Sequence, residues 1–506
     1  MKPITVEDLQ GGWSTYDPTT IEDNQLAEIE NFYYDSKLRV TTRQGIAEFG
    51  NEIASVANMH TIKFFKLSNG NRYLLCGAGT NVYKFNESTL DWDSIKSGLT
   101  ADLPLCFYVY KDIMYWTNGT DNVMSYDGTT VAEHAGVQKG TIAIVANDIA
   151  YMAGVSTDAS TVFYSSANPT DLKSAYGNFE PINEDDGQII TAMRNLGPIV
   201  FVGKDSSIYK LDVISSPVNV DNIDYSGGVA SNRVWSNVEN DLMHLSEEGV
   251  YKLSQRQATT GSFRAWPESN MLQSIIESIS DKSAATSIYY PEMRSMYMSY
   301  GTTSSNNSLL RWSVLNRSWT AYEGISATDF TVYEDADGNK RLLASTPYGG
   351  QCYELETGLS DDDVGIAFSL KTKEFNFEEP ATHKTFSHVD VIGFVSKQQE
   401  FKISVIIDGE ETSVNVLGST YAAGEVAHEL TTGVYETGEY PLGGGAASTS
   451  GIDMYQYIVR IPLYITGKTI QIHVSGEAKY SSLQITKFTI TAEGQPVDFF
   501  PGEYIY

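Results

Sequence analysis

The chain has 506 residues, with 64 acidic against 34 basic side chains and a formal net charge of −30. Such an excess of carboxylates leaves too few cations for tight binding of nucleic acid through its phosphates, and the lack of any run of 18 apolar residues excludes a membrane-spanning helix. With 32 Tyr, 20 Phe and 7 Trp and almost no long helical periodicity, the composition points to an all-β protein.

Residues 1–50 open with Met1-Lys2-Pro3-Ile4-Thr5-Val6-Glu7, which lacks the apolar core of a signal peptide. Gly11-Gly12, Asp17-Pro18 and Asp23-Asn24 are turn chemistry. Gln25 to Asn31 is predicted as a short helix, and Leu38-Arg39-Val40 as a strand closed by Arg43-Gln44-Gly45. The segment is too small to fold alone, so it is expected to be an extended arm that orders against the rest of the chain or a neighbouring subunit.

From residue 51 to 358 a five-residue pattern recurs seven times: a small, polar or turn residue, an apolar β-former, then usually an aromatic. The copies begin at Asn81, Asn122, Thr161, Ser207, Gly249, Ser308 and Gln351. Their second residues, Val82, Val123, Val162, Ile208, Val250, Leu309 and Cys352, are separated by steps of 41, 39, 46, 42, 59 and 43. A period near 40–45 is that of a four-stranded propeller blade. Each copy follows an apolar partner strand, from Arg72-Tyr73-Leu74-Leu75 to Arg341-Leu342-Leu343-Ala344, across a Gly, Asn, Asp or Ser turn, which reads as an antiparallel hairpin. The expectation is a β-propeller of about seven blades, or six if one copy belongs to an extension. The long step of 59 holds an insertion in which Asn270 is predicted to cap a helix striped by Leu272, Ile275, Ile276 and Ile279.

After Gly358 the blade pattern stops. Longer alternating strands, such as 386–394, 401–408, 457–463, 469–474 and 483–490, predict a β-sandwich over 359–506. Within it, 418–453 is expected to be a long loop, richest in Gly, Ala and Ser between Gly438 and Gly451. Three cysteines, Cys76, Cys106 and Cys352, form no even framework and read as reduced, small hydrophobes of a protein made in a reducing cytoplasm.

No constellation for chemistry stands out. The seven His residues lack metal-ligand spacing, and no Gly-x-Ser-x-Gly elbow or sialidase-type Asp-box occurs. Gly467-Lys468-Thr469 lacks the leading Gly of a phosphate loop and is predicted as a turn. Asp335-Ala336-Asp337-Gly338-Asn339 starts like a calcium loop but has Thr346 where the bidentate Glu belongs, so it too is predicted as a hairpin turn. Asp361-Asp362-Asp363 reads as a solvated linker, and Glu184-Asp185-Asp186-Gly187 as an exposed loop between blades. Catalytic residues, cofactors and metals are expected to be none.

The ends of the chain resemble a family of bacteriophage structural proteins, the tail nozzle, tail hub or packaged-DNA stabilisation proteins of short-tailed phages. Those open with Gly-Gly, an Asp/Pro turn, Asp-x-Gln, an Asn-bearing stretch and Arg-Pro-Gly. Here the matching residues are Gly11, Gly12, Asp17, Pro18, Asp23, Gln25, Asn31, Arg43 and Gly45, with Gln44 in place of the usual Pro. Gly467 to Ile472 and the strand near Phe488 are similar to the family's end. The resemblance implies a virion tail protein made in the host cytoplasm. It implies a homo-oligomeric ring, usually a hexamer, below the phage portal and adaptor rings, with double-stranded DNA passing through the lumen without tight binding. It makes the nine matching residues a candidate docking arm that orders against the propeller, a neighbouring subunit or the adaptor ring. The competing reading is a receptor- or glycan-binding, or glycan-cleaving, propeller tail protein, which would gather carboxylates and aromatics at the central mouth of the propeller.

Overall fold

In the computed structural model, residues 3–494 are described apart from 57, 216, 225–226, 258–261, 302–307, 418–434 and 441–451. The chain divides into two compact units. One comprises residues 47–311 and 323–356, the other residues 1–46, 312–322 and 357–506.

The first unit is a β-propeller. Five sheets of four consecutive strands follow one another: 59–96, 106–134, 142–181, 190–224 and 235–267. The sixth blade starts with Thr286–Tyr290, Ser295–Tyr300 and Ser308–Ser313, and Ser318–Glu323 is fourth in its strand order. The seventh takes Asp329–Glu334, Lys340–Ser345 and Cys352–Leu355 from this part of the chain and its outer strand, Ile46–Glu48, from the N-terminal part. Phe49 N–H donates to the Cys352 carbonyl at 2.8 Å beside that junction. The ring is thus closed by strands far apart in sequence, and the innermost strands Asp329–Glu334 and Met59–Lys66 pack together.

The repeat read from the sequence is the second and third strand of every blade. Its second residues all fall in third strands, and each is at most 1% exposed. They are buried because both faces of a blade are covered by neighbours. Phe65, Leu75 and Val82 of blade one pack with Met114, Trp116 and Met124 of blade two, and Leu74 and Cys76 of blade one with Tyr333, Leu343 and Cys352 of blade seven. The insertion before blade six forms a tight turn, Asn270–Leu272, running into a six-residue helix, Gln273–Ser278. Leu272, Ile276 and Ile279 are buried and Ile275 half-buried, as the stripe requires. Asn270 lies inside the turn and makes no cap, a correction to the expected helix start.

The second unit is a two-sheet sandwich. One sheet runs in the order Tyr435–Tyr440, Ile452–Gly467, Lys384–Ser396, Leu483–Gly494, Val40–Thr42, Phe32–Tyr34, with Ile4–Val6 added on Leu483–Gly494. The other sheet contains, in order, Gln25–Glu30, Ile366–Thr372, Ile470–Ala478, Glu400–Ile407 and Glu410–Leu417. Their inner faces share one core, in which Val389, Val391 and Phe488 meet Leu370, Ile403 and Ile472. The loop expected at 418–453 lies mostly outside the described residues; Tyr435–Tyr440 within it is a strand.

The N-terminal segment departs from the expectation of an extended arm. Gln25–Glu30 is a strand, not a helix. It pairs antiparallel with Ile366–Thr372, matching Ile29 with Leu370, and its Leu26 and Ile29 are fully buried. The reason is nonlocal: Leu26 and Ile29 are three apart, a helical spacing, but backbone groups in a half-formed sheet edge and an apolar core outweigh the weak intrinsic preference of a seven-residue segment.

Candidate functional site

The nine residues of the expected docking arm are built into the sandwich. Arg43, 1% exposed, is the centre. Its guanidinium makes a bidentate pair with Asp361, at 2.8 and 2.5 Å, while Nε donates to Asn31 Oδ1 at 2.7 Å. Asn31 in turn donates its Nδ2–H to the Ala367 carbonyl at 2.7 Å, and its backbone N–H to that of Ala321 at 2.8 Å. Every strong donor of the guanidinium fork has an acceptor, which is how a buried charge is tolerated. Asp361 is therefore a structural counter-ion, not part of a solvated linker.

The remaining motif residues serve the same unit. Gly12 has φ of +74° and packs against Ser318, where a Cβ has no room. Gly45 passes so close to Ser360 that a Cβ would run into its carbonyl. Asp17 forms an Asx turn, accepting from Thr19 N–H and Oγ1 at 2.9 and 2.7 Å; its pKa is lowered by those hydrogen bonds. The Pro18 carbonyl accepts from Glu374 N–H, Asp23 pairs with Lys373 at 2.8 Å, Gln25 Oε1 accepts from Glu22 N–H, and Gly11 N–H donates to the Asn24 carbonyl. The spacing of the motif is explained by chain routing: two glycines for close approach, two turns, and an Arg–Asn–Asp cluster that locks the strands.

On the outer face of the same sandwich, Ser369 Oγ lies 3.0 Å from His473 Nε2, with Glu28 accepting from Ser369 and pairing with Lys371. This grouping has the residue types of a hydrolytic triad but not its connectivity. The carboxylate accepts from the serine, so the hydroxyl proton points at Glu28 and the imidazole is not oriented as a base. Burial and the adjacent Lys371 push the His473 pKa down.

The acidic loop at 184–187 is only partly exposed. Asp186 holds Lys204 at 2.9 and 3.0 Å, and that lysine is fully buried; the Asn183 carbonyl accepts its third proton at 3.0 Å. Desolvation opposes the shift, but the Lys204 hydrogen bond overcomes it and lowers the Asp186 pKa. At the other candidate turn, Asp408 accepts from the Lys468 and Thr469 N–H groups, each at 2.9 Å, so a carboxylate sits where a phosphate loop would place phosphate. Among the described residues no group of three or more His, Cys, Asp or Glu is placed to hold a metal, and no helix is long and apolar enough to cross a membrane. All three cysteines are free thiols, and Cys76 and Cys352 are buried.

A feature the sequence did not reveal is the charged lining of the propeller's central channel. A cavity of about 420 Å³ is lined by residues from the innermost strand of all seven blades. Its charged residues are Lys63, Arg194, Arg233 and Asp329, three cations and one carboxylate in a chain of net charge −30. Arg194 is held by the Trp235 and Asn232 carbonyls, at 2.6 and 3.0 Å. Asp329 accepts from Ile62 N–H at 3.1 Å and Thr286 Oγ at 3.4 Å. Innermost strands carry no copy of the repeat, and these charges are spaced more than 30 residues apart in sequence, so no local signal marked them.

No protein family and no curated protein matches the chain. Among solved structures, the extracellular domain of a one-component system from B. thetaiotaomicron is similar, with a TM-score of 0.43 at 10% identity over 87% of this chain. The chain spans 63% of the length of that domain.

Proposed function

We propose that this chain is a virion structural protein of a bacteriophage tail, forming a homomeric ring of six that continues the DNA channel below the portal and adaptor and retains packaged DNA. The observation that carries the reading is the ordered motif from Gly11 to Gly45 ahead of a seven-bladed propeller and a terminal sandwich. Its high negative charge supports a wall that repels DNA phosphates and lets a duplex pass. Because the motif residues are bonded within their own chain, docking to the adaptor falls to the assembled sandwich unit and not to a free arm.

A second reading, a receptor- or glycan-binding tail protein, draws support from the channel, which offers Tyr289 and several Asn side chains to a ligand. Glycan cleavage by paired carboxylates would need a partner for Asp329, and none is among the described residues lining the cavity. Mass photometry of the purified chain, alone and with portal and adaptor proteins, tests the first reading. A closed ring that joins the adaptor is expected; a monomer that ignores the adaptor would overturn it.

A further inference from the structure

Three observations single out the propeller channel, and they are independent of the assembly reading. The first is charge. The four ionised side chains of the lining sum to +2, since three cations face one carboxylate, and that carboxylate is committed to Ile62 N–H and Thr286 rather than to a cation.

The second is an orphan. Arg233 Nη2 is buried and has no hydrogen-bond partner. A guanidinium in that state ordinarily acquires an acceptor, because leaving a buried charged donor unmet is costly. Two buried cations elsewhere in this protein are met: Arg43 by Asp361 and Asn31, and Lys204 by Asp186 and Asn183. The channel differs from both.

The third is crowding. Lys63 is exposed on the channel lining, yet protein crowds around it. Burial first, and then the nearby Arg194 charge, push its pKa down, with Asp329 opposing. Burial likewise lowers the pKa of Arg194 and Arg233, and the Asp329 charge resists the shift in each. Like charges gathered in one enclosed space destabilise one another unless an anion joins them.

We propose that the channel binds a small dianionic oxyanion ligand of the phosphate or sulfate class, free or as a monoester of a small hydroxylated molecule. Charge sets the valence: a dianion neutralises +2, whereas a monocarboxylate leaves an uncompensated cation. Shape sets the class, because the Arg233 guanidinium, the donors that Arg194 keeps beyond its two carbonyl bonds and an ammonium match the several acceptor oxygens of a tetrahedral oxyanion. Volume sets the size. About 420 Å³ lies within the range of small-ligand pockets and is far too small for a duplex. Asn195, Asn232, Asn237 and Ser236 on the lining are suited to hydroxyl groups of an esterified partner.

Isothermal titration of the full chain with inorganic phosphate, in chloride buffer at constant ionic strength, tests the site. Saturable binding is expected for the wild type, weakened tenfold or more in both Arg233→Gln and Lys63→Gln. Should Arg233→Gln fail to fold, Lys63→Gln decides, since that side chain is exposed. Glycerol phosphate should bind like phosphate, and galacturonate, a monoanion, should bind more weakly. The proposal is overturned by heats for the wild type no larger than those of a chloride control, by affinity unchanged in the folded variants, or by binding of galacturonate without phosphate.

Discussion

The two units of this chain bury apolar surface in opposite ways. In the propeller, five blades draw all four strands from single runs of about 30 to 40 residues, and the hairpin of each is local. In the sandwich, one sheet aligns strands from residues 4–6, 32–42, 384–396 and 452–494. Both are cores of β-branched and aromatic residues, but only the local one writes a period into the sequence. A fold whose contacts are close in sequence repeats its solution and can be counted. One that joins distant segments leaves each segment looking like a loop or an arm.

That contrast is most directly broken by deletion. Removing residues 1–45 takes Leu26, Ile29, Phe32, Tyr34 and Val40 out of the sandwich core. Calorimetry and limited proteolysis should show the sandwich losing its cooperative transition and becoming a protease target, while the propeller, which keeps Ala47 and Glu48 of its closing strand, retains its own. If both transitions survived the deletion, the segment would be an arm after all.

Two point substitutions compare the units at single positions. Val250 is fully buried in the third strand of blade five. Val250→Asp places an unpaired carboxylate there and should cost about 4 kcal/mol, read as a fall in the denaturation midpoint of the propeller. In the sandwich, Arg43→Met removes one half of a buried pair and strands Asp361 and Asn31. A loss of about 3 kcal/mol is expected, and the double variant Arg43→Met with Asp361→Leu should recover part of it. A single Arg43→Met that melts like the wild type would mean that the cluster carries no stability.

These substitutions also mark how far the sequence could be read. Val250 and its six counterparts were legible because burial on both blade faces imposes the same residue type at a fixed step. The hairpins and the long strands after Gly358 were legible for similar local reasons. Arg43 and Asp361 were each visible, one in a motif and one in an acidic run, but 318 residues separate them, and nothing local states that they meet. Lys63 and Arg194 sit on the innermost strands of two blades and Arg233 on the turn before that of a third, and they converge only when the ring closes. The strand Gln25–Glu30 was hidden by a helical apolar spacing that its sheet partners override.

A smaller effect separates buried from solvated acids within the propeller. The Lys204 hydrogen bond holds the Asp186 pKa below its ordinary value. A carboxyl depressed in the folded state contributes stability above its unfolded pKa of about 3.9. That contribution is lost as the pH falls through the lower, folded value. Between pH 6 and pH 3 the wild type should therefore lose more melting temperature than Asp186→Asn, with the two curves converging at the acid end. Parallel curves would show that the pair does not couple to stability.

The smallest effect is expected at the turn that starts like a calcium loop. Asp335 Oδ1 already accepts from Asp337 N–H and Asn339 N–H, at 3.0 and 2.9 Å, and Oδ2 from Asn339 Nδ2 and Arg341, each at 3.2 Å. A calcium ion needs those lone pairs and six or more oxygens, so the carboxylate is organising a hairpin between Asp329–Glu334 and Lys340–Ser345. Asp335→Ala should cost about 1 kcal/mol, the usual worth of a turn-forming side chain. Asp337, exposed at the tip, should be replaceable by Ala with no change in melting temperature, and neither EDTA nor added calcium should move the wild type. A calcium-dependent rise that Asp337→Ala abolished would turn this structural turn into a binding site, and with it the one place where the propeller's local pattern concealed a function.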